Sequence, residues 1–217
     1  MNREIINQIL KELDAKENAR DSTISMSRKV VRNCRKAIFA IHRKEPTITL
    51  SQINESRQLL ASIDQKLTSY PDIYYGGFVE HAQQEFVECS ILYRLIYEKA
   101  DLNTVPSPEE LNVSYAAYLN GLADIPGELR RHILSMIRGG NAQKSEIYLS
   151  LMEDIYSVLI MFDYPDVIVK GLRHKTDRIR PLIERTSGDI TNALGQQKLE
   201  ESMKRFESAL QRQYHEI

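Results

Sequence analysis

The 217-residue chain has no tryptophan, two cysteines, nine glycines and seven prolines. So few breakers argue against a loop-rich, collagen-like or low-complexity chain, and no composition shift or internal repeat marks a linker. Two cysteines cannot form a disulfide framework. Cys34 and Cys89 each sit inside an apolar helical pattern, as reduced thiols in a reducing compartment do. The longest apolar run, VLIMF at 158–162, is far short of the roughly 20 residues of a membrane span. MNREIINQILKELDAKE at the N-terminus is too densely charged for a signal peptide. A cytoplasmic protein is expected. Net charge is −1, so affinity for a polyanion has to come from local segregation of charge. There is no phosphate-cradling glycine loop, nucleophile elbow or CxxC pair. His42, His81, His132, His174 and His215 are scattered without a metal-like grouping. P-loop nucleotide hydrolysis is excluded.

What is present is helical periodicity almost throughout, with strand-like alternation essentially missing. The fold class is all-α, about seven antiparallel helices in one domain spanning residues 1–217. The pattern predicts a helix or two over 2–44, with a possible break at DSTIS where Ser or Thr could cap a second segment. Further helices are predicted over 51–70 and 73–99. The next opens at Ser107-Pro108-Glu109-Glu110, which supplies an N-cap, a proline at the first helical position and acids at the positive end. It runs, as one helix or a pair, to Ile137 and stops at Gly139-Gly140. Helices over 142–162, 166–186 and 189–215 complete the set. In the last, Leu199, Met203, Phe206 and Leu210 form a 4, 3, 4 seam that needs a helix of this subunit or of a neighbour to cover it.

Between Ser22 and Lys44 there is no acid and seven bases. Arg28, Arg32, Arg35, Lys36 and Arg43 project to one side of a helix, and Val30, Val31, Cys34, Ile38 and Ile41 to the other. Such a stripe is either a solvated face whose partners lie elsewhere or, since like charges at helical spacing repel, a surface that a phosphate backbone neutralises. Large apolar residues typical of a membrane-surface helix are missing from its other face. A second basic group, Lys170, Arg173, Lys175, Arg178, Arg180 and Arg185, is interrupted by Asp177, which helical spacing would pair with Arg173 and Arg180. It is a weaker candidate surface.

In QQEFVECSILYRLI, 83–96, Glu85 and Glu88 share a helix face with Leu92, Leu95 and Ile96, while Ser90, Arg94 and Glu98 lie opposite. A carboxylate buried without compensation is driven toward protonation at a cost of several kcal/mol. Arginines of the basic helix, a water-filled cavity or a divalent cation would each relieve it. A second pair, Asp124 and Glu128, lies off the apolar stripe of Leu119, Leu122, Leu129 and Ile133. Taken alone, Asp124 reads as the cap of a new helix whose early turn holds Pro126. Taken together, four oxygen ligands on neighbouring helices suit Mg2+ or Mn2+ rather than zinc, and a hard cation beside a basic surface suits phosphodiester cleavage.

SRKVVRNCRKAIFAIHR (27–43), QEFVE (84–88), YLNGLADIPGELRR (118–131) and FDYPDVIVKGLRHKTDRIRPLIERTSGDI (162–190) together resemble the translin family. More narrowly, the chain is similar to archaeal-type members and to the translin-associated factor X branch. The resemblance covers almost the whole chain in the same order. It implies a seven-helix subunit assembling into a hollow octameric barrel that binds nucleic acid on its inner surface. In the factor X branch the interior acids bind magnesium and cleave single-stranded RNA, whereas translin lacks the matching glutamates and only binds. This chain carries acids at all four matching positions, Glu85, Glu88, Asp124 and Glu128. The expectation is a Mg2+-dependent endoribonuclease for single-stranded or unpaired RNA, with Arg28, Arg32, Arg35, Lys36, Arg43 and Arg173 on the nucleic acid and single-stranded DNA as a second candidate partner. The alternatives are a binding protein without catalysis and, more distantly, a helical scaffold. Pro126, between the second pair of acids, is expected to disturb their helix.

Overall fold

In the computed structural model, which describes residues 2–215, nine helices follow one another without a strand among the described residues. Six are long: α1 (Arg3–His42), α2 (Pro46–Leu67), α4 (Phe78–Tyr97), α6 (Tyr115–Arg138), α7 (Ala142–Leu159) and α9 (Leu172–His215). Three are single turns: α3 (Pro71–Tyr74), α5 (Pro108–Leu111) and α8 (Asp166–Val169).

The start and stop signals act where the chain chemistry puts them. Ser107 makes a full capping box with Glu110 behind Pro108, but the turn ends at once because Asn112 adopts a left-handed backbone, so α5 and α6 are separate. Ser114 caps α6, and Gly140 at φ +74° reverses the chain after it. Pro46 opens α2 five residues ahead of the predicted start. Gly77, at φ +91°, separates α3 from α4 where one helix was expected.

Two expected breaks are absent. DSTIS lies within a continuous 40-residue α1. There Thr23 is buried and donates its hydroxyl back to the carbonyls of Ala19 and Arg20, at 2.8 and 3.0 Å, instead of capping a new segment. The break expected between 186 and 189 does not occur, because α9 runs through Gly188 without interruption, and the predicted sixth helix breaks instead after Val169, where Lys170 and Gly171 both have positive φ.

Helix α4 is the centre of the bundle. It packs against α1, α2 and α6, and Phe86, Val87, Ile91, Leu92 and Leu95 are fully or almost fully buried. Each such side chain contributes roughly 1.5–3 kcal/mol. Ser90 is buried as well, so α4 has no broad polar face opposite its acids. Its accessible strip is instead His81, Gln84, Glu85 and Glu88. The Tyr97 hydroxyl donates to the Ile41 carbonyl at 3.1 Å and ties the end of α4 to α1. Cys34 and Cys89 are buried and free.

Helices α4 and α6 touch almost backbone to backbone. A Cβ placed on Gly121 would lie 2.6 Å from the Gln84 carbonyl oxygen and 2.7 Å from Val87 Cβ. Asn120, beside it, donates to the Val169 carbonyl at 2.8 Å and fastens α8 to α6, which sets where α9 begins. Arg130 then grips α9 through the Thr186 hydroxyl and Asp189, each at 2.8 Å.

Replacing Gly121 with Ala forces α4 and α6 apart, and overpacking of this kind costs about 1–3 kcal/mol. Urea unfolding of G121A is expected to show a lowered midpoint, and an unchanged midpoint would contradict the close contact.

Candidate metal centre and nucleic-acid interface

Because Gly121 lets the two helices meet, Glu85 and Glu88 of α4 face Asp124 and Glu128 of α6. Helix α6 is continuous from Tyr115 to Arg138 with Pro126 buried inside it. Asp124 is therefore not a helix cap, and the expected interruption does not occur. The proline lacks the N–H that would reach the Leu122 carbonyl, and packing carries the helix through.

Each acid has a different environment. Asp124 forms an ion pair with Lys175 of α9 at 2.6 Å and accepts a hydrogen bond from Gln84 Nε2 at 2.7 Å. Glu128 is bonded to His42 Nε2 at 2.5 Å, with Arg131 at 3.6 Å. Burial pushes the Glu128 carboxyl up, but the His42 hydrogen bond and the charge of that ring, helped by Arg131, hold it below the ordinary carboxylate range. Glu85, with only 14% of its side chain exposed, has just two distant neighbours, Arg35 at 4.0 Å and His81 at 3.8 Å.

Glu88 is pushed up to about 8, first by burial and then by the negative charges of Asp124, Glu85 and Glu128. The Lys175 ammonium works against them and does not win. The other three acids thus act on Glu88 with more negative charge than Lys175 offsets. An all-oxygen, electron-rich donor set of this kind fits Mg2+ or Mn2+. Among the described residues, no three His, Cys, Asp or Glu side chains are already gathered tightly enough to grip one ion. Asp124 and Glu128 are turned toward Lys175 and His42.

His42, Lys175 and Gln84 were not anticipated as partners. The bland reading, in which arginines of the basic helix neutralise the first pair, holds only as the long Arg35–Glu85 approach. His132, behind His42 and edge-on to Tyr148, is lowered to about 4 by burial and by the charges of His42 and Lys44, so its ring is neutral at pH 7.

The basic stripe of α1 splits as the helical projection requires. Val30, Cys34, Ile38 and Ile41 are buried, and Arg28, Arg32, Arg35, Lys36 and Arg43 are exposed. The stripe does not form one surface. Arg28, Arg32 and Arg35 border a cleft against the start of α4, whereas Lys36 and Arg43 flank a separate depression with Phe39 and Glu45. Arg173 stands apart on α9, exposed and 3.8 Å from Asp163. Arg180 pairs with Glu184 at 3.2 Å. Asp177 thus takes neither of the partners that helical spacing offered it.

Comparison with known proteins gives a consistent result. The model of the Translin family matches residues 18–186. An uncharacterized protein of Methanocaldococcus jannaschii is 33% identical over 207 residues, covering 94% of this chain and 90% of that protein. Among solved structures, AfC3PO in a complex with duplex RNA superposes with a TM-score of 0.78 at 31% identity, over 87% of this chain and 95% of that one. The crystal structure of AfC3PO alone gives 0.78 at 32% identity, over 87% and 96%. The crystal structure of apo-NeC3PO, at 24% identity and a TM-score of 0.77 over 89% and 98%, shares the fold.

The environment of Glu88 makes a stability prediction. A carboxyl raised from 4.5 to about 8 on folding gives the folded state more bound protons than the unfolded state between those pH values, so stability falls as pH rises through that window. Each pH unit costs at most about 1.4 kcal/mol. Thermal unfolding of metal-free protein from pH 5 to 9 is expected to show this decline, and E88Q to flatten it and to melt higher at pH 8. Parallel profiles for the two proteins would contradict the assignment.

Proposed function

We propose that this chain, which belongs to the translin family, is a divalent-metal-dependent endoribonuclease acting on single-stranded or unpaired RNA inside a homo-oligomeric, octameric barrel. The observation that carries this reading is the unbalanced acid cluster: Glu88 is buried and faces the charges of Asp124, Glu85 and Glu128, which together raise its carboxyl to about 8. The duplex RNA in the solved complex of the similar AfC3PO supports RNA as the ligand, without bearing on the preference for unpaired strands.

In this reading Glu85, Glu88, Asp124 and Glu128 hold Mg2+ or Mn2+. A bound cation supplies positive charge against the negative charge that builds on a phosphodiester under attack. The chain's own residues do the rest. Glu88, poised near neutral pH, can hold or release a proton at the carboxyl. Lys175 and His42 keep Asp124 and Glu128 oriented. Arg28, Arg32 and Arg35 bind phosphates beside the cluster, with Lys36, Arg43 and Arg173 as further contacts outside it.

Assembly accounts for apolar groups the subunit leaves open. Ile5, Ile9, Leu10 and Leu13 at the start of α1 and Leu199, Met203, Phe206 and Leu210 near the end of α9 are all exposed in the single chain. Isolated exposed leucines need no explanation, but two such stripes call for a covering surface. A solution mass eight times that of the chain is expected.

One observation favours the non-catalytic alternative. Asp124 and Glu128 already have basic partners without metal. Incubation of labelled single-stranded RNA with and without Mg2+ separates the two. Cleavage that needs Mg2+ and falls at least about 100-fold in E85Q and E88Q, with RNA binding retained, is expected. Salt-sensitive binding without any metal-dependent product would leave a binding protein.

A further inference from the structure

One cleft lies on the α1 side of the acid cluster. It opens between the basic stretch of α1 and the first turn of α4, encloses about 510 Å³, and is bordered by Arg28, Arg32, Arg35, Phe78, His81 and Ser27. That volume lies in the range of small-ligand sites. Ser27 is only 3% exposed, and its hydroxyl has no hydrogen-bond partner among the described residues. A buried hydroxyl left unpaired costs about 1–3 kcal/mol, and nothing in the bundle offsets it. No carboxylate lines the cleft. Its inner edge nevertheless reaches the acids, because Arg35 and His81 are the two residues that approach Glu85.

Three arginines, two aromatic rings and one unsatisfied hydroxyl make a composite site. A bare phosphate would use the arginines alone, and an apolar ligand only Ile24, Val31 and the ring of Phe78, which also line the cleft. A nucleotide uses all of them. Aromatic faces stack on bases with about 1–3 kcal/mol each. A hydroxyl can donate to or accept from a base edge. Arg28 and Arg35, seven residues apart, are separated by roughly 10 Å along the helix, which lets them contact successive phosphates.

We propose that this cleft receives one unpaired base of the RNA, from a single strand or a bulge, and so delivers the adjoining phosphodiester toward Glu85. The inference rests on the RNA reading above and adds the source of its preference for unpaired nucleotides. The base lies against Phe78 and His81, Ser27 bonds its polar edge, and Arg28, Arg32 and Arg35 take the flanking phosphates. A base held in a duplex reaches the cleft only after unstacking, at a cost of a few kcal/mol.

The test uses short single-stranded RNAs carrying one 2-aminopurine at successive positions, bound in chelator so that cleavage plays no part. At one or more positions the fluorescence is expected to drop on binding as the base stacks. Strands with abasic nucleotides should bind about tenfold more weakly than intact ones. F78L, which keeps the apolar packing but removes the ring, should lose both effects. S27A should weaken binding of intact RNA but not of a strand abasic at the quenched position, with thermal stability unchanged or raised; equal weakening of both strands would contradict the contact. Binding with unchanged fluorescence and equal affinity for abasic strands overturns the cleft proposal alone. Failure of any RNA to bind overturns the RNA reading, and this proposal with it.

Discussion

The contact between Gly121 and the Gln84 carbonyl is the constraint on which the site depends. With a side chain at 121, α4 and α6 could not approach to the distance at which Glu85 and Glu88 share an electrostatic environment with Asp124 and Glu128. One missing methyl group therefore does two things. It closes the core over Val87 and Phe86, and it brings the acids of α4 within electrostatic reach of those of α6. Apolar packing provides the energy that holds the charges together, since the charges themselves repel.

The charge balance around that volume is graded. Asp124 and Glu128 are met by Lys175 and His42, residues from opposite ends of the chain. Glu85 is met only at 3.8–4.0 Å, and Glu88 carries the surplus. A group raised this far is a source of instability in the metal-free chain, and a bound hard cation would remove it. The same field extends outward to Arg35 and His81, which link the acids to the cleft on α1. The acid cluster and the base cleft are therefore neighbours across Glu85.

Much of this was legible in the residues. The acid pairs, the split of the basic helix into charged and apolar sides, and the Ser107 capping box all follow from short-range spacing, where helical geometry leaves little freedom. What could not be read were contacts across the fold. His42 is 86 residues from Glu128 and Lys175 is 51 from Asp124, and no local pattern distinguishes them from surface bases. Local signals also misled where packing outweighed them. Ser187-Gly188 is a plausible break, yet Ile190 is buried two residues beyond it and Arg130 grips Thr186 and Asp189 on either side. Pro126 should disturb a helix, yet it is buried between Ile125 and Leu129, both fully buried.

The central claim is that Glu88 keeps a proton because it is buried beside three other carboxylates, and that a hard cation takes the proton's place. Calorimetric titration of Mn2+ into the protein at pH 7, in two buffers of different ionisation heat, tests it without reference to catalysis. Saturable binding that releases close to one proton per chain, with the release lost in E88Q, is the predicted result. Binding that releases no proton, or no binding at all, would contradict the account.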